Sequence, residues 1–240
     1  MNLTYFWHSV KLFCGYSRIL GSMNTRTEQD YLKALFSLSE KSGQSTVAGL
    51  SERLGVTKPT VTSMVKKLAR KKLVQHARYK PMRLTEKGRR EALLVIRKHR
   101  LVEMFLVTKL NFGWEEVHDL AEQFEHVEAP EFFERLDVIL NFPTLDPHGE
   151  PIPDKTGNLD LTAYQPLSSC KTGDRVRLRA LADSSGNFLR FLNNRGLRLG
   201  LRVSVETIEP FEGSMVVSYG KRRFETLPHT VCENLLVEKP

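Results

Sequence analysis

Ser45–Val74 reads STVAGLSERLGVTKPTVTSMVKKLARKKLV, and its spacing decides the fold of the amino-terminal half. A helix is predicted from about Thr46 to Leu54, a turn at Gly55-Val56, and a second helix from about Lys58 to Arg70. Thr57 is placed to cap the second helix. Pro59 falls in its first turn, where a missing N–H costs nothing. Val47, Leu50 and Leu54 recur at helical spacing and match Val61, Val65 and Leu68 across the turn. A short helix, a glycine turn and a second helix with a polar face make a helix-turn-helix. Leu73–His76 and Met82–Leu84 follow as two short β runs about the tip Ala77-Arg78-Tyr79-Lys80-Pro81. That hairpin reads as a wing, and the alternative is a three-helix bundle that carries an unrelated hairpin.

Charge favours the wing. From Arg53 to Arg100 there are 16 Lys/Arg against two acids, Glu86 and Glu91. Lys58, Lys66, Lys67, Arg70, Lys71, Lys72, Arg78, Lys80 and Arg83 fall on the outward positions of the second helix and the hairpin. Such a strip releases counterions from a duplex. Thr57, Lys58, Pro59, Thr60, Thr62 and Ser63 open the second helix, and its hydroxyls are the candidates for base-edge or phosphate contacts, with Lys66, Lys67, Arg78 and Lys80 against the backbone. Small hydroxyl residues read bases weakly, so DNA shape is expected to add specificity.

Upstream, Glu28–Glu40 sets Tyr31, Leu32, Leu35, Phe36 and Leu38 on one side of a helix that ends before Gly43. Residues 1–22 have no continuous apolar core and no signal-peptidase pattern, so they read as a disordered extension, with Met23 the more natural start. Downstream, Thr85-Glu86-Lys87-Gly88 opens a long helix to about Leu110. Leu93, Leu94, Ile96, Leu101, Val102, Phe105, Leu106 and Leu110 are more apolar positions than one covering face needs, so a homodimer seam is expected there. Glu131–Leu140 is a further amphipathic helix.

Between these helices the charge inverts. Asn111–Asp160 holds 13 Asp/Glu against Arg135 and Lys155. If Val117–Val127, VHDLAEQFEHV, is helical, His118, Glu122, Glu125 and His126 stand at i, i+4, i+7 and i+8 on one face. His99 and Glu103 are an i, i+4 pair on the preceding helix. Imidazoles and carboxylates without cysteine suit Mn²⁺, Fe²⁺ and related ions better than a structural zinc. The plain alternative is a solvated polar face on two amphipathic helices.

Residues 143–166 include prolines 143, 147, 151, 153 and 166 with Gly149 and Gly157, a linker composition. Beyond it the pattern turns to period two in Arg175–Ala180, Arg202–Ile208 and Ser214–Ser218, interrupted by one short helix at Gly186–Gly196. About 75 residues of short strands imply a small closed barrel. Cys14, Cys170 and Cys232 form no CxxC pair and read as reduced thiols of a cytoplasmic protein. No apolar run approaches the roughly 20 residues that cross a bilayer.

RKHRLVEMFL (Arg97–Leu106), VHDLAEQFEHV, PHGEPIP (Pro147–Pro153), Gly196-Leu197 with Gly200, and the run Glu209–Gly213 together resemble the diphtheria-toxin-repressor family of metal-dependent transcriptional regulators. The likeness covers nearly all of Thr25–Glu238. It implies a winged helix-turn-helix over 23–90, a helical metal-binding and dimerisation domain over 91–142, a linker over 143–166, and an SH3-like, FeoA-type β domain over 167–240. Carried over residue by residue, one metal site uses His99, Glu103 and His118, and the other Asp30, Glu122, Glu125 and His126. Two hard carboxylates, Asp30 and Glu122, stand where iron-responsive members have Met and Cys, which points to Mn²⁺, with Fe²⁺ the alternative. Lys33 departs from the pattern: some manganese regulators carry a Glu ligand there. Ser184 and Asn187 fall near where the family's β domain supplies further Glu and Gln ligands, and Asp183 is a candidate substitute.

The expected function is a Mn²⁺-activated repressor that binds an operator duplex as a homodimer and governs manganese homeostasis, with an iron-responsive repressor as the alternative. A metalloenzyme using the His/Glu cluster is the reading from another class. It finds no HExxH, nucleophile elbow or phosphate loop. A metal-storage or transport accessory leaves the second helix of the helix-turn-helix unexplained.

Overall fold

The computed structural model of the chain describes residues 24–77, 81–160 and 163–239. The extension at 1–22, Cys14, and the wing-tip residues Arg78 and Lys80 lie outside the described residues. Helix α1 is Arg26–Ser42. It starts at a capping box in which the Thr25 hydroxyl accepts from the Glu28 N–H and the Glu28 carboxylate accepts from the Thr25 N–H, satisfying two orphan donors together. Helices α2 (Val47–Leu54) and α3 (Lys58–Arg70) are capped by Thr46 and Thr57, with Gly55 left-handed between them. The wing strands β1 (Val74–Gln75) and β2 (Arg83–Leu84) pair antiparallel, Val74 opposite Leu84.

One core holds these elements. Tyr31, Leu32, Leu35 and Phe36 of α1, Leu50 of α2, and Val61, Val65 and Leu68 of α3 are buried together with Leu73, Val74 and Met82 of the wing. Fully burying each large aliphatic side chain is worth about 2 kcal/mol, and the helical spacing of these residues makes that burial collective. Helix α4, Glu86–Leu110, enters the same core with Ala92, Leu93 and Ile96. Its first turn passes so close to the wing that a Cβ on Gly88 would lie 1.9 Å from the Leu73 carbonyl oxygen.

Beyond Ile96, α4 changes partners. Val102 and Leu106 pack with Val117, Ala121, Phe133 and Leu136 of the following elements α5 (His118–Phe124) and α6 (Pro130–Ile139). The apolar surplus of α4, expected to form a dimer seam, is therefore spent inside the chain: of its eight named positions only Leu110 is exposed. Within the helical part, Phe124 of α5, Val138 and Ile139 of α6, and Phe142 just after it are exposed instead. Helix α5 is also shorter than the spacing predicted. It stops at Phe124, and Glu125 and His126 follow in a turn.

The proline-rich segment after α6 is packed rather than free. Arg100 of α4 donates to the Pro151 carbonyl and pairs with Glu150 and Asp146, and Arg97 donates to the Pro153 carbonyl. Gly149, at φ +83°, touches the backbone of Arg179 and Ala180, where any Cβ would collide, so the left-handed glycine permits this contact. The carboxy-terminal part is a six-stranded antiparallel sheet in the order β3-β8-β4-β5-β6-β7. The strands are β3 Gln165–Pro166, β4 Arg175–Leu181, β5 Arg202–Ile208, β6 Met215–Tyr219, β7 Arg222–Leu227 and β8 Leu235–Glu238. Helices α7 (Gly186–Arg195) and α8 (His229–Asn234) complete it. The sheet bends around its own core of Leu178, Leu181, Leu189, Val203, Val205 and Val217, but its end strands β3 and β7 do not pair with each other among the described residues. Cys170 and Cys232 are buried free thiols, and burial pushes the Cys232 thiol up to about 12. No helix among the described residues is long and apolar enough to cross a membrane.

Candidate metal centre and nucleic-acid interface

Helices α1 and α4 and the α5 turn converge on two groups of ligand-type side chains. In the first, His99 and Glu103, one turn apart on α4, meet His118 from the first turn of α5. The His99 Nε2 is 3.0 Å and the His118 Nδ1 3.6 Å from Glu103 Oε1. In the second, Asp30 of α1 meets Glu125 and His126: His126 Nε2 lies 3.0 Å from Asp30 Oδ1 and 3.5 Å from Glu125 Oε1. Within each group one donor atom from every residue lies within 4.8 Å of the others. Glu125 keeps right-handed helical backbone angles, and its N–H still donates to the Ala121 carbonyl as a continued helix would have it.

Glu125 joins the groups. Its Oε1 faces His126, and its Oε2 lies 2.6 Å from His99 Nδ1. His99 is thus clamped between two carboxylates, Glu125 on Nδ1 and Glu103 on Nε2. Burial opposes its charged form, but those two hydrogen bonds prevail and raise its pKa. The Glu103 carboxyl, which burial pushes up, is held well below its usual range by His118 and His99. His118 is pushed up to about 9 by its hydrogen bonds to Glu103 and Glu122. His126 goes the other way: burial lowers it against the pull of Asp30. Its Nδ1 meets Gln29 Oε1 at 2.6 Å, which orients the ring.

Glu122 stands apart from the Asp30 group. It is half-exposed, with Oε1 3.5 Å from His118 Nε2 and 3.7 Å from Lys33 Nζ. Two residues that the sequence reading assigned to a linker reach the first group: Asp146 and His148, both buried, form a third cluster with Glu103. Burial, followed by the Glu150 charge, pushes the Asp146 carboxyl up to about 7. The only sequence signal was the PHGEPIP likeness, which includes His148 and not Asp146, since a non-periodic loop does not reveal where it folds back. Asp183 hydrogen-bonds locally to Ser185 on the carboxy-terminal domain.

Nitrogen and oxygen donors, several of them buried carboxylates, fit a hard or borderline divalent cation. Sulfur is absent from all three groups. The second group links α1, part of the helix-turn-helix core, to the α5 turn.

Along the start of α3, Thr57, Lys58, Pro59, Thr60, Ser63 and Lys66 are exposed, and Thr62 is half-buried. The Thr57 and Thr60 hydroxyls are 2.9 Å apart, and Thr62 donates to the Lys58 carbonyl, so these hydroxyls are held in place before any contact. Two lysines of the expected basic strip have an internal partner. Lys67 and Lys71 lie 3.2 and 2.8 Å from the Glu28 carboxylate, which is wholly buried. Burial pushes that carboxyl up, yet Lys71, the Thr25 N–H and Lys67 bring it down to about 2.

Comparison with known proteins divides the chain in the same order. Residues 23–82 match the iron dependent repressor N-terminal DNA binding domain, 85–154 the iron dependent repressor metal binding and dimerisation domain, and 165–239 the FeoA domain. The iron-dependent repressor IdeR of Mycobacterium leprae (strain TN) is 34% identical over 229 residues, covering 89% of this chain and 97% of the relative. The diphtheria toxin repressor of Corynebacterium efficiens is 31% identical over 192 residues, 75% of this chain and 82% of the relative. Among solved structures, a manganese-dependent transcriptional repressor in complex with manganese superposes with a TM-score of 0.81 at 34% identity, covering 89% of this chain and all of that one. ScaR with bound Cd²⁺ gives 0.76 at 30% identity, covering 89% and 99%.

Proposed function

The chain belongs to the family of iron-dependent repressors that includes the diphtheria toxin repressor, a family of metal-dependent DNA-binding repressors and not of enzymes, and from that premise we propose that it is a Mn²⁺-activated repressor acting as a homodimer in the cytoplasm. We take His99, Glu103 and His118 as one metal site and Asp30, Glu125 and His126 as the other, with Glu122 as the further carboxylate at their mouth. The observation that carries this reading is Asp30, whose carboxylate reaches His126 across from α1 at 3.0 Å. A divalent ion supplies the positive charge that allows several carboxylates to stay together in one buried place.

What the chain's residues then do is mechanical. Asp30 fixes α1, and with it α3, relative to the α5 turn. Phe124, Val138, Ile139 and Phe142 supply the apolar dimer face. Two α3 helices held at a set separation meet successive major grooves, whereas a loosened α1 lets them drift. Thr57, Lys58, Pro59, Thr60, Thr62, Ser63, Lys66 and Lys67 touch the duplex, joined by Arg78 and Lys80. The functional units are residues 23–90, 91–142, 143–166 and 167–240, and the targets are manganese homeostasis genes. Mn²⁺ is favoured by the all N/O donor set and by the manganese-dependent solved relative; Fe²⁺ is the second reading, on the likeness to IdeR.

Asp30→Ala and His126→Ala test the assignment. Each variant should keep its far-UV circular dichroism and its weak metal-free DNA binding while losing the Mn²⁺-dependent gain in operator affinity. A full metal response in both would overturn the site.

A further inference from the structure

Gln29 precedes Asp30 on α1, is buried, and uses both ends of its amide. Oε1 lies 2.6 Å from His126 Nδ1, while Nε2 donates to the Glu128 carboxylate at 3.2 Å and to the Asn24 carbonyl at 3.4 Å. Both partners of Nε2 can only accept, so the amide has one workable orientation. Oε1 can only accept too, which places the proton of a neutral His126 ring on Nδ1 and leaves the Nε2 lone pair facing Asp30 and Glu125. Gln29 therefore selects the ring nitrogen that is able to ligate. The amide also leads away from that group. Asn24 precedes the N-cap of α1, and its side chain joins the neighbouring helices. Its Nδ2 donates to Glu91 of α4 at 3.3 Å, and its Oδ1 accepts from Lys71, at the end of α3, at 3.4 Å. Lys71 in turn holds the Glu28 carboxylate at 2.8 Å. A continuous run of hydrogen bonds thus joins His126 to α3.

We propose that Gln29 is the positioning residue that carries the state of the Asp30 group to α3, gripping His126 through Oε1 and the start of α1 through Nε2. This rests on the reading of the Asp30 group as a metal site. Contiguity alone does not couple two sites, because the run needs an end with two arrangements. The His126 ring is that end. It is fixed when Nε2 ligates, and Nε2 rests against Asp30 and Glu125 when it does not. A fixed ring holds the Gln29 amide, the amide holds the Asn24 backbone, and Asn24 then offers Lys71 and Glu91 a set position. Gln29 is not a ligand. Its effect is on how strongly the metal group and the DNA-binding helix feel each other.

The test compares the full natural chain with Gln29→Leu, Gln29→Met, Asn24→Ala and the double variant Gln29→Leu/Asn24→Ala. Anisotropy of a labelled duplex from the protein's own upstream region gives Kd in chelator and at saturating Mn²⁺, and their ratio is the coupling. Calorimetry gives the Mn²⁺ affinity without DNA. Both Gln29 variants should lose about tenfold in coupling, the worth of one or two hydrogen bonds, even with Mn²⁺ saturating. Asn24→Ala should lose about fivefold in coupling while its DNA-free Mn²⁺ affinity stays that of the natural chain. The double variant should fall no lower than Gln29→Leu, since both changes break one run. Coupling that returns to the natural value in both Gln29 variants at saturating Mn²⁺ would overturn the proposal, because Gln29 then only orients His126. Additive losses in the double variant would overturn it too. Melting in chelator identifies a Gln29 variant that does not fold, and the other then decides. A natural chain with equal affinity in chelator and in Mn²⁺ would instead overturn the reading of the Asp30 group as a metal site.

Discussion

Loading the first metal group should expel about two protons at neutral pH. His99 has a carboxylate oxygen against each ring nitrogen, Glu125 at 2.6 Å and Glu103 at 3.0 Å, so both nitrogens donate and the ring is an imidazolium. His118 likewise stands between Glu103 and Glu122, pushed up to about 9. Each ring must give up a proton before a nitrogen can ligate. Two displaced protons make the association constant fall about 100-fold per unit drop in pH, about 2.7 kcal/mol at 1.36 kcal/mol per unit. Imidazoles with the ordinary pKa near 6.5 would give only about a threefold fall between pH 7.5 and 6.5. His126, whose pKa is lowered, adds little. The raised His118 also stabilises the metal-free chain, fully below about pH 6.5 and less as pH rises through about 9. Calorimetric Mn²⁺ titrations at pH 7 in buffers of different ionisation enthalpy read the proton count directly. His118→Gln should reduce it by about one. A count below about one half in the natural chain would refute the clamped-imidazolium argument.

Three other outcomes are expected. Glu28→Gln leaves Lys71 and Lys67 without their buried partner and should cost about 3 kcal/mol at neutral pH, from a carboxyl held near 2 rather than 4.5; urea unfolding measures it, and the loss should vanish as pH falls from 4.5 toward 2. Gly88→Ala drives a methyl into the Leu73 carbonyl and should destabilise the winged helix by on the order of 3 kcal/mol, seen as a lower melting temperature. Lys66→Ala should weaken operator binding evenly across sequences and reduce the salt slope of log K by about one, in anisotropy titrations over a salt series.

How much of this was legible in the sequence depended on whether the information was local. The α2–α3 unit could be read nearly to the residue because caps, Gly55 and the apolar spacing all act within a few turns. The candidate ligand residues were picked out by spacing and family likeness, but no period reveals that Glu122 lies by His118 and Lys33 and not with the Asp30 group. The apolar excess on α4 misled because one helix serves two cores, one with α1 and α3, the other with α5 and α6. Asp146 and His148 were hidden by the proline and glycine content around them, which marks irregular backbone and says nothing about what that backbone packs on. Lys33 was visible only as a departure. Its place between two carboxylates and an imidazole is a tertiary fact.

The central claim is that metal at the Asp30 and His99 groups turns on DNA binding. Fluorescence anisotropy of a labelled duplex from the protein's own upstream region tests it most directly, titrated with protein at fixed salt in chelator, in Mn²⁺ and, anaerobically, in Fe²⁺. Tight binding in Mn²⁺ with little in chelator is the predicted result, and an equal Fe²⁺ response would move metal choice away from the donor set. Equal affinity in chelator and in Mn²⁺ would contradict the account and leave the His/Glu cluster a structural feature of a DNA-binding protein.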